Sequence, residues 1–217
     1  MTDPSRKTKR KKAEAPAATA LAFRPVTRET WRDFEALFQS PGAPKYCWCM
    51  AWRGTNEERK EWAALPERAP TRGAMSPANE RRKAAMKRRV DAGTPVGLLA
   101  YDGGEPIGWV SVAPRPSYRP LGGRDEPPGD PHAVWSVVCF FIKRSRRGAG
   151  LSRALLAAAV NYAETNRAEI IEAYPVDPDS PSYRFMGFKP LYEGAGFSPV
   201  GRAGSRRTVM RKKLARA

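Results

Sequence analysis

Eleven consecutive residues concentrate the chemistry of this chain. Lys143, Arg144, Arg146, Arg147 and Arg153 surround Gly148-Ala149-Gly150, after the apolar run Val134 to Ile142 and before an amphipathic stretch from Leu151 to Asn166. A glycine turn lets backbone approach a ligand closely. The amides of a following first helical turn then face an anion, aided by the helix dipole. Five cations at that turn suit a multiply charged phosphate; the plainer alternative is a basic surface turn. The spacing excludes G-x-x-x-x-G-K-[ST]. It also fails G-x-G-x-x-G, because Arg153 stands where the third glycine belongs.

Other reactive side chains are few. Cys47, Cys49, Cys139 and His132 are too badly spaced for a four-ligand zinc site, so no metal is expected. The thiols read instead as small apolar groups in a reducing compartment, which points to the cytoplasm. Cys139 lies inside the apolar run with no histidine in its segment, which disfavours a cysteine-bound intermediate. Asp125, Glu126 and Asp130 in the stretch Leu121 to His132 give a weak attraction for a cationic amine.

Elements must position these groups. Phe23 to Pro25 reads as a short strand, and Thr27 as the cap of a helix over Arg28 to Phe38, where Trp31, Phe34, Leu37 and Phe38 share a face. Tyr46 to Arg53 is an aromatic core segment or pocket wall. Helices are expected over Asn56 to Ala64 and from Ser76-Pro77 to Ala92, the second studded with Arg81, Arg82, Lys83, Lys87, Arg88 and Arg89. Strands Val96 to Tyr101 and Ile107 to Val112 flank the turn Asp102 to Glu105, and a loop follows from Pro114 to His132. Val134 to Ile142 is a strand buried on both faces; Ala168 to Tyr174 and Arg207 to Lys213 are further strands, with a short helix over Leu191 to Ala195. That order predicts an α/β domain with a mixed, mostly antiparallel sheet over residues 21–214, behind a disordered basic tail, residues 1–20.

Composition narrows the class. The 217 residues are 41% hydrophobic and 28% charged, which excludes global disorder, and no apolar run is long enough for a spanning helix, so no membrane is expected. Residues 1–20 look superficially like a signal peptide, but Glu14, Pro16 and the alanines are too weakly hydrophobic. The net charge of +17 concentrates at the ends: six basic and two acidic residues in the first twenty, seven basic and no acidic in the last seventeen. Such tails and the Arg-rich helix admit a nonspecific nucleic-acid partner, although the basic segments carry few aromatics for base stacking.

Two motifs carry a family resemblance. Arg147-x-x-Gly150-x-Ser152 is similar to the pyrophosphate motif Q/R-x-x-G-x-G/A of the GNAT superfamily of N-acetyltransferases, with Ser152 departing from its usual Gly or Ala. Tyr192-Glu193-Gly194-Ala195-Gly196-Phe197 is similar to that family's Tyr-x-x-x-Gly-Phe, a spacing that Tyr183 to Phe188 also fits. The resemblance covers about Ala22 to Leu214. It implies the acyl-CoA N-acyltransferase fold, with a splayed strand pair and flanking helices, and transfer of acetyl from acetyl-CoA to an amine by direct attack in a ternary complex. It implies that backbone at Phe141, Ile142 and Lys143 binds the pantetheine arm. It implies that Arg147, Gly148, Ala149, Gly150, Leu151, Ser152 and Arg153 hold the pyrophosphate. Glu172 matches the family's base and Tyr192 its acid, with Asp177 and Asp179 as rival bases through water. The acceptor would be a small-molecule or protein amine; the sequence does not give the oligomeric state.

Overall fold

The computed structural model describes residues 20–123 and 130–215. The basic tail, apart from Ala20, and the acids Asp125 and Glu126 lie outside those residues. Among the described residues a seven-stranded sheet has the order β1-β2-β3-β4-β5-β7-β6. Its strands are β1 Ala22–Pro25, β2 Leu98–Asp102, β3 Glu105–Pro114, β4 Val134–Ile142, β5 Ile170–Ala173, β6 Ser198–Ala203 and β7 Arg207–Lys213. Every neighbouring pair is antiparallel except β4–β5. The mixed, mostly antiparallel sheet is as expected, and β4 and β7 fall on their expected residues.

Helices α1 Trp31–Gln39, α2 Asn56–Ala63 and α3 Pro77–Asp91 precede β2; α4 Leu151–Thr165 makes the β4–β5 crossover, and α5 Lys189–Glu193 precedes β6. Helix α1 starts later than its sequence indicates. Thr30 holds the capping position, and its hydroxyl accepts from the Thr27 amide at 2.9 Å, so Thr27 to Thr30 form a turn instead. Helix α2 opens with a capping box between Thr55 and Glu58, and the Ser76 hydroxyl accepts from the Asn79 amide at the start of α3. Helix α5 begins at Lys189 rather than Leu191, with Pro190 inside its first turn.

Two apolar clusters sandwich the sheet. On one face Phe34, Phe38, Trp48 and Met86 pack with Trp109 and Phe141. On the other, Leu155, Leu156 and Ala159 of α4 join Tyr192 and Phe197. Close approach of α4 needs Gly108: a Cβ there would sit 3.3 Å from Leu151 and Leu155 side chains. The cations of α3 are paired across helices rather than arrayed on a bare face. Arg82 bonds Glu67, Lys83 bonds Glu35, and Arg88 and Arg89 both reach Glu58. No helix among the described residues is long and apolar enough to cross a membrane.

Candidate active site

The two middle strands part company halfway along. The parallel ladder of β4 and β5 ends at Val137↔Ala173, so Cys139 to Ile142 pair on the β3 side only, with Val138 at a break in the β3–β4 register. Into the gap opens a cleft of about 740 Å³. Val138, Phe140, Phe141 and Ile142 line its β4 side, and Gly148, Leu151 and Ser152 its end. Tyr46, Cys47, Cys49 and Trp52 form one wall, so the aromatic segment is both core, at Trp48, and pocket wall. Arg184, Phe185, Gly187 and Phe188 form the other.

The turn after β4 has the geometry its sequence indicates. A short 3-10 helix at Arg144–Arg146 leads to Gly148 and Gly150, at φ +83° and +74°, with open space where a Cβ would stand. The first amides of α4 with helical partners are those of Arg153 and Ala154, both on the Gly150 carbonyl. Among the described residues, none of the amides from Gly148 to Ser152 donates a hydrogen bond. Such a row of unengaged N–H groups at a helix start suits a phosphate ligand.

The expected cofactor-binding residues divide in two. Phe141, Ile142, Arg147, Gly148, Leu151 and Ser152 line the cleft. Lys143, Ala149, Gly150 and Arg153 do not; the Lys143 ammonium lies 2.7 Å from Glu105, and Arg153 is exposed. Arg146 pairs with Asp102 at 2.7 Å, and Arg147 Nε donates to the Ile142 carbonyl at 3.2 Å.

The two expected proton-transfer residues are not brought together on the cleft. Tyr192 is fully buried and its hydroxyl donates to the Met186 carbonyl at 2.7 Å. Burial pushes that hydroxyl well above the ordinary tyrosine range. It stands just behind the wall: a Cβ on Gly187 would lie 2.9 Å from the Tyr192 ring and 3.3 Å from its hydroxyl. Glu172, also fully buried, sits in a closed cluster away from the cleft. It accepts from Arg211 Nε at 2.6 Å and from the Tyr174 hydroxyl, and Arg115 Nε lies 3.7 Å away. Desolvation and the neighbouring Glu172 carboxylate raise the Tyr174 hydroxyl strongly. Of the rival bases, Asp177 pairs with Lys189 at 3.1 Å.

Residues that sequence reasoning did not assign gather at and behind the cleft wall, where Cys49, Ser111 and Tyr118 line it. The Arg53 guanidinium is 3% exposed. Its Nη2 donates to the Val96 carbonyl at 2.8 Å, to Ser111 Oγ at 3.1 Å and to the Tyr118 hydroxyl at 2.6 Å. Trp109 Nε1 donates to Cys49 Sγ at 3.3 Å. Burial lifts the Tyr118 hydroxyl to about 12. The only sequence signal for this group was the aromatic Tyr46 to Arg53 segment.

Known proteins share this architecture. The model of the acetyltransferase (GNAT) family matches residues 57–188. No curated protein matches the chain. Among solved structures, aminoglycoside acetyltransferase AAC(6')-Ib in complex with coenzyme A is 16% identical; the match covers 89% of this chain and 95% of that one, with a TM-score of 0.54. An N-acetyltransferase from Staphylococcus aureus Mu50 is 12% identical, covering 91% of this chain and all of its own, with a TM-score of 0.50. At such identities the structures speak for the fold, which is the acyl-CoA N-acyltransferase fold with its splayed strand pair. The family match spans more than half of the sequence, and the chain belongs to the GNAT family of acetyltransferases.

Proposed function

We propose that the protein is an acyl-CoA-dependent N-acyltransferase that moves acetyl from acetyl-CoA to a primary amine by direct attack in a ternary complex. The observation that carries this reading is the parting of β4 from β5 beside a glycine turn whose amides are unengaged. The residues present fit coenzyme A. Phe141 and Ile142 offer an apolar strand edge to the pantetheine arm, while the Lys143 backbone is engaged with Ile107 and Arg146; the amides from Gly148 to Ser152, with Arg147, offer donors to the pyrophosphate. Bound there, acetyl-CoA supplies an activated thioester; the protein positions it and excludes water.

Tyr192 is the proposed proton donor to the leaving sulfur. Its raised hydroxyl keeps its proton at neutral pH, and it must exchange the Met186 carbonyl for the cleft across Gly187. Glu172 is better suited to hold β5 against β7, because its carboxylate is filled by Arg211, Arg115 and Tyr174. The alternative, a nucleic-acid binder, has less behind it, since the α3 cations are matched by Glu35, Glu58 and Glu67.

Calorimetric titration is the test. Acetyl-CoA is expected to bind at micromolar concentration, and no heat at tens of micromolar would sink the reading. Tyr192→Phe should lower kcat by about 10²-fold, the scale of a lost general acid, with cofactor affinity nearly unchanged. An undiminished rate removes Tyr192 from the chemistry.

A further inference from the structure

Direct attack needs a neutral amine, so something in the cleft must take the proton of an ammonium. Among the described residues lining the cleft there is no Asp, Glu, His or Lys. Apart from three arginines, its titratable groups are Tyr46, Tyr118, Cys47, Cys49 and Cys139. Resting on the N-acyltransferase reading, we infer that Cys49 is the proton acceptor: its sulfur, set in the cleft wall among Trp109, Ser111, Cys139 and the Arg53 guanidinium, is a thiolate that receives the acceptor's ammonium and takes its proton.

The buried guanidinium is the first argument. Arg53 Nε and Nη1 have no hydrogen-bond partner, and no carboxylate pairs with Arg53 among the described residues. Its acceptors are all neutral, with the Tyr118 ring 4.1 Å away, so an anion nearby would stabilise this buried cation. The Cys49 sulfur, within reach of its field, is the group able to become one.

The second argument is the surrounding set of donors. The Trp109 N–H aims at Sγ from 3.3 Å. The adjoining Cys139 thiol, then the Trp109 N–H, with the charge of Arg53 and the Ser111 hydroxyl, outweigh burial and draw the Cys49 thiol below its ordinary value. Its neighbours move the other way. Burial and the Cys49 charge push Cys47 to about 12, with Arg82 opposing; the neighbouring Cys49 and burial raise Cys139. Tyr46 and Tyr118 are raised by burial. Of the thiols and tyrosines lining the cleft, Cys49 is the one drawn toward its charged form.

The backbone is the third. Trp48 and Cys49 are successive non-glycine residues at φ +48° and +57°, left-handed conformations that side chains disfavour. Burial of Trp48, stacked on Phe38 with centroids 5.6 Å apart, holds them there. Strain of this kind keeps a side chain aimed where the fold would not otherwise put it.

The protons and bonds balance as follows. Cys49 takes one proton from the bound ammonium, becoming a neutral thiol. The freed nitrogen lone pair forms the C–N bond as the thioester C–S bond breaks. Tyr192 gives its proton to the leaving sulfur and recovers the second N–H proton from the new amide, and Cys49 returns its own proton to solvent.

The thiolate can be read without turnover. Absorbance at 240 nm, wild type minus Cys49→Ala, is followed against pH, with iodoacetamide alkylation of Cys49 mapped by peptide mass as a second readout. The Cys49 step should fall below the ordinary thiol value of about 8.5, and Trp109→Phe should raise it. A step at or above that value overturns the inference. Turnover supplies the second arm, with acetyl-CoA and two acceptors at neutral pH: 1-propylamine, an ammonium, and hydroxylamine, a free base. Cys49→Ala should lose about 10²-fold with propylamine and less than about 10-fold with hydroxylamine. Equal losses with unchanged coenzyme A affinity would make Cys49 merely structural, and an acetyl adduct on Cys49 would make it a nucleophile; either overturns the assignment. A wild-type protein that fails to bind acetyl-CoA sinks the N-acyltransferase reading instead, and the thiolate titration remains readable.

Discussion

Glu172→Ala is expected to lower the stability of the fold by about 3–5 kcal/mol, the range found when one partner of a buried ion pair is removed. The carboxylate is fully buried, between Ser136 of β4 and Arg211 of β7 in register. Its removal takes from Arg211 and the buried Tyr174 hydroxyl the acceptor they share. Urea melts give the number. Glu172→Gln keeps the shape and one acceptor oxygen, and should cost less. If Glu172→Gln folds like wild type and binds acetyl-CoA normally, yet turns over at least about 10²-fold more slowly, Glu172 is the base after all.

The second large effect falls on binding rather than folding. Gly150 stands at φ +74°, and a Cβ added there would have nothing within 4 Å, so a side chain meets no wall. What it meets is its own backbone. A left-handed L-residue costs roughly 1–2 kcal/mol, and a β-branched one is worse placed still. Gly150→Val should therefore either hold the turn under strain or relax it and mis-aim the amides from Gly148 to Ser152. Acetyl-CoA affinity is expected to fall by about 10-fold or more, with Tm lowered by only a few degrees. Unchanged affinity would show that those amides hold no phosphate.

The long periodic elements were legible because their pattern and their burial agree. β4 is apolar except at Ser136 because α4 covers one face and the aromatic cluster the other. α3 carries Ser76-Pro77 at its start, and the structure uses both. Strand β6 was not legible: Pro199 and Gly201 interrupt it, and as an edge strand five of its six residues are exposed, so no alternation marks it. The true start of α1 was hidden because Thr27 and Thr30 are equally good caps in sequence, and only the fold chooses between them.

The candidate site was half legible. Its phosphate end is local: Arg147 to Ser152 are contiguous, and their spacing speaks for itself. Its reactive end is assembled from four distant segments, carrying Cys49 and Arg53, Trp109 and Ser111, Tyr118, and Cys139. Nothing in one segment announces the others. The burial of Glu172 was illegible for the same reason, since it depends on Arg115 and Arg211, 57 positions before it and 39 after it.

Four residue pairs, Val134↔Ile170 to Val137↔Ala173, join the two halves of the sheet. That short seam acts as the fulcrum of a lever whose long arm is the rest of β4. From Val137 to Ile142 the strand extends about 17 Å at ~3.3 Å per residue. A turn of some five degrees about the seam would therefore sweep the glycine turn through more than an ångström. Substitutions far from any ligand, at Trp135 or Ile171, thus have mechanical leverage over the width of the gap.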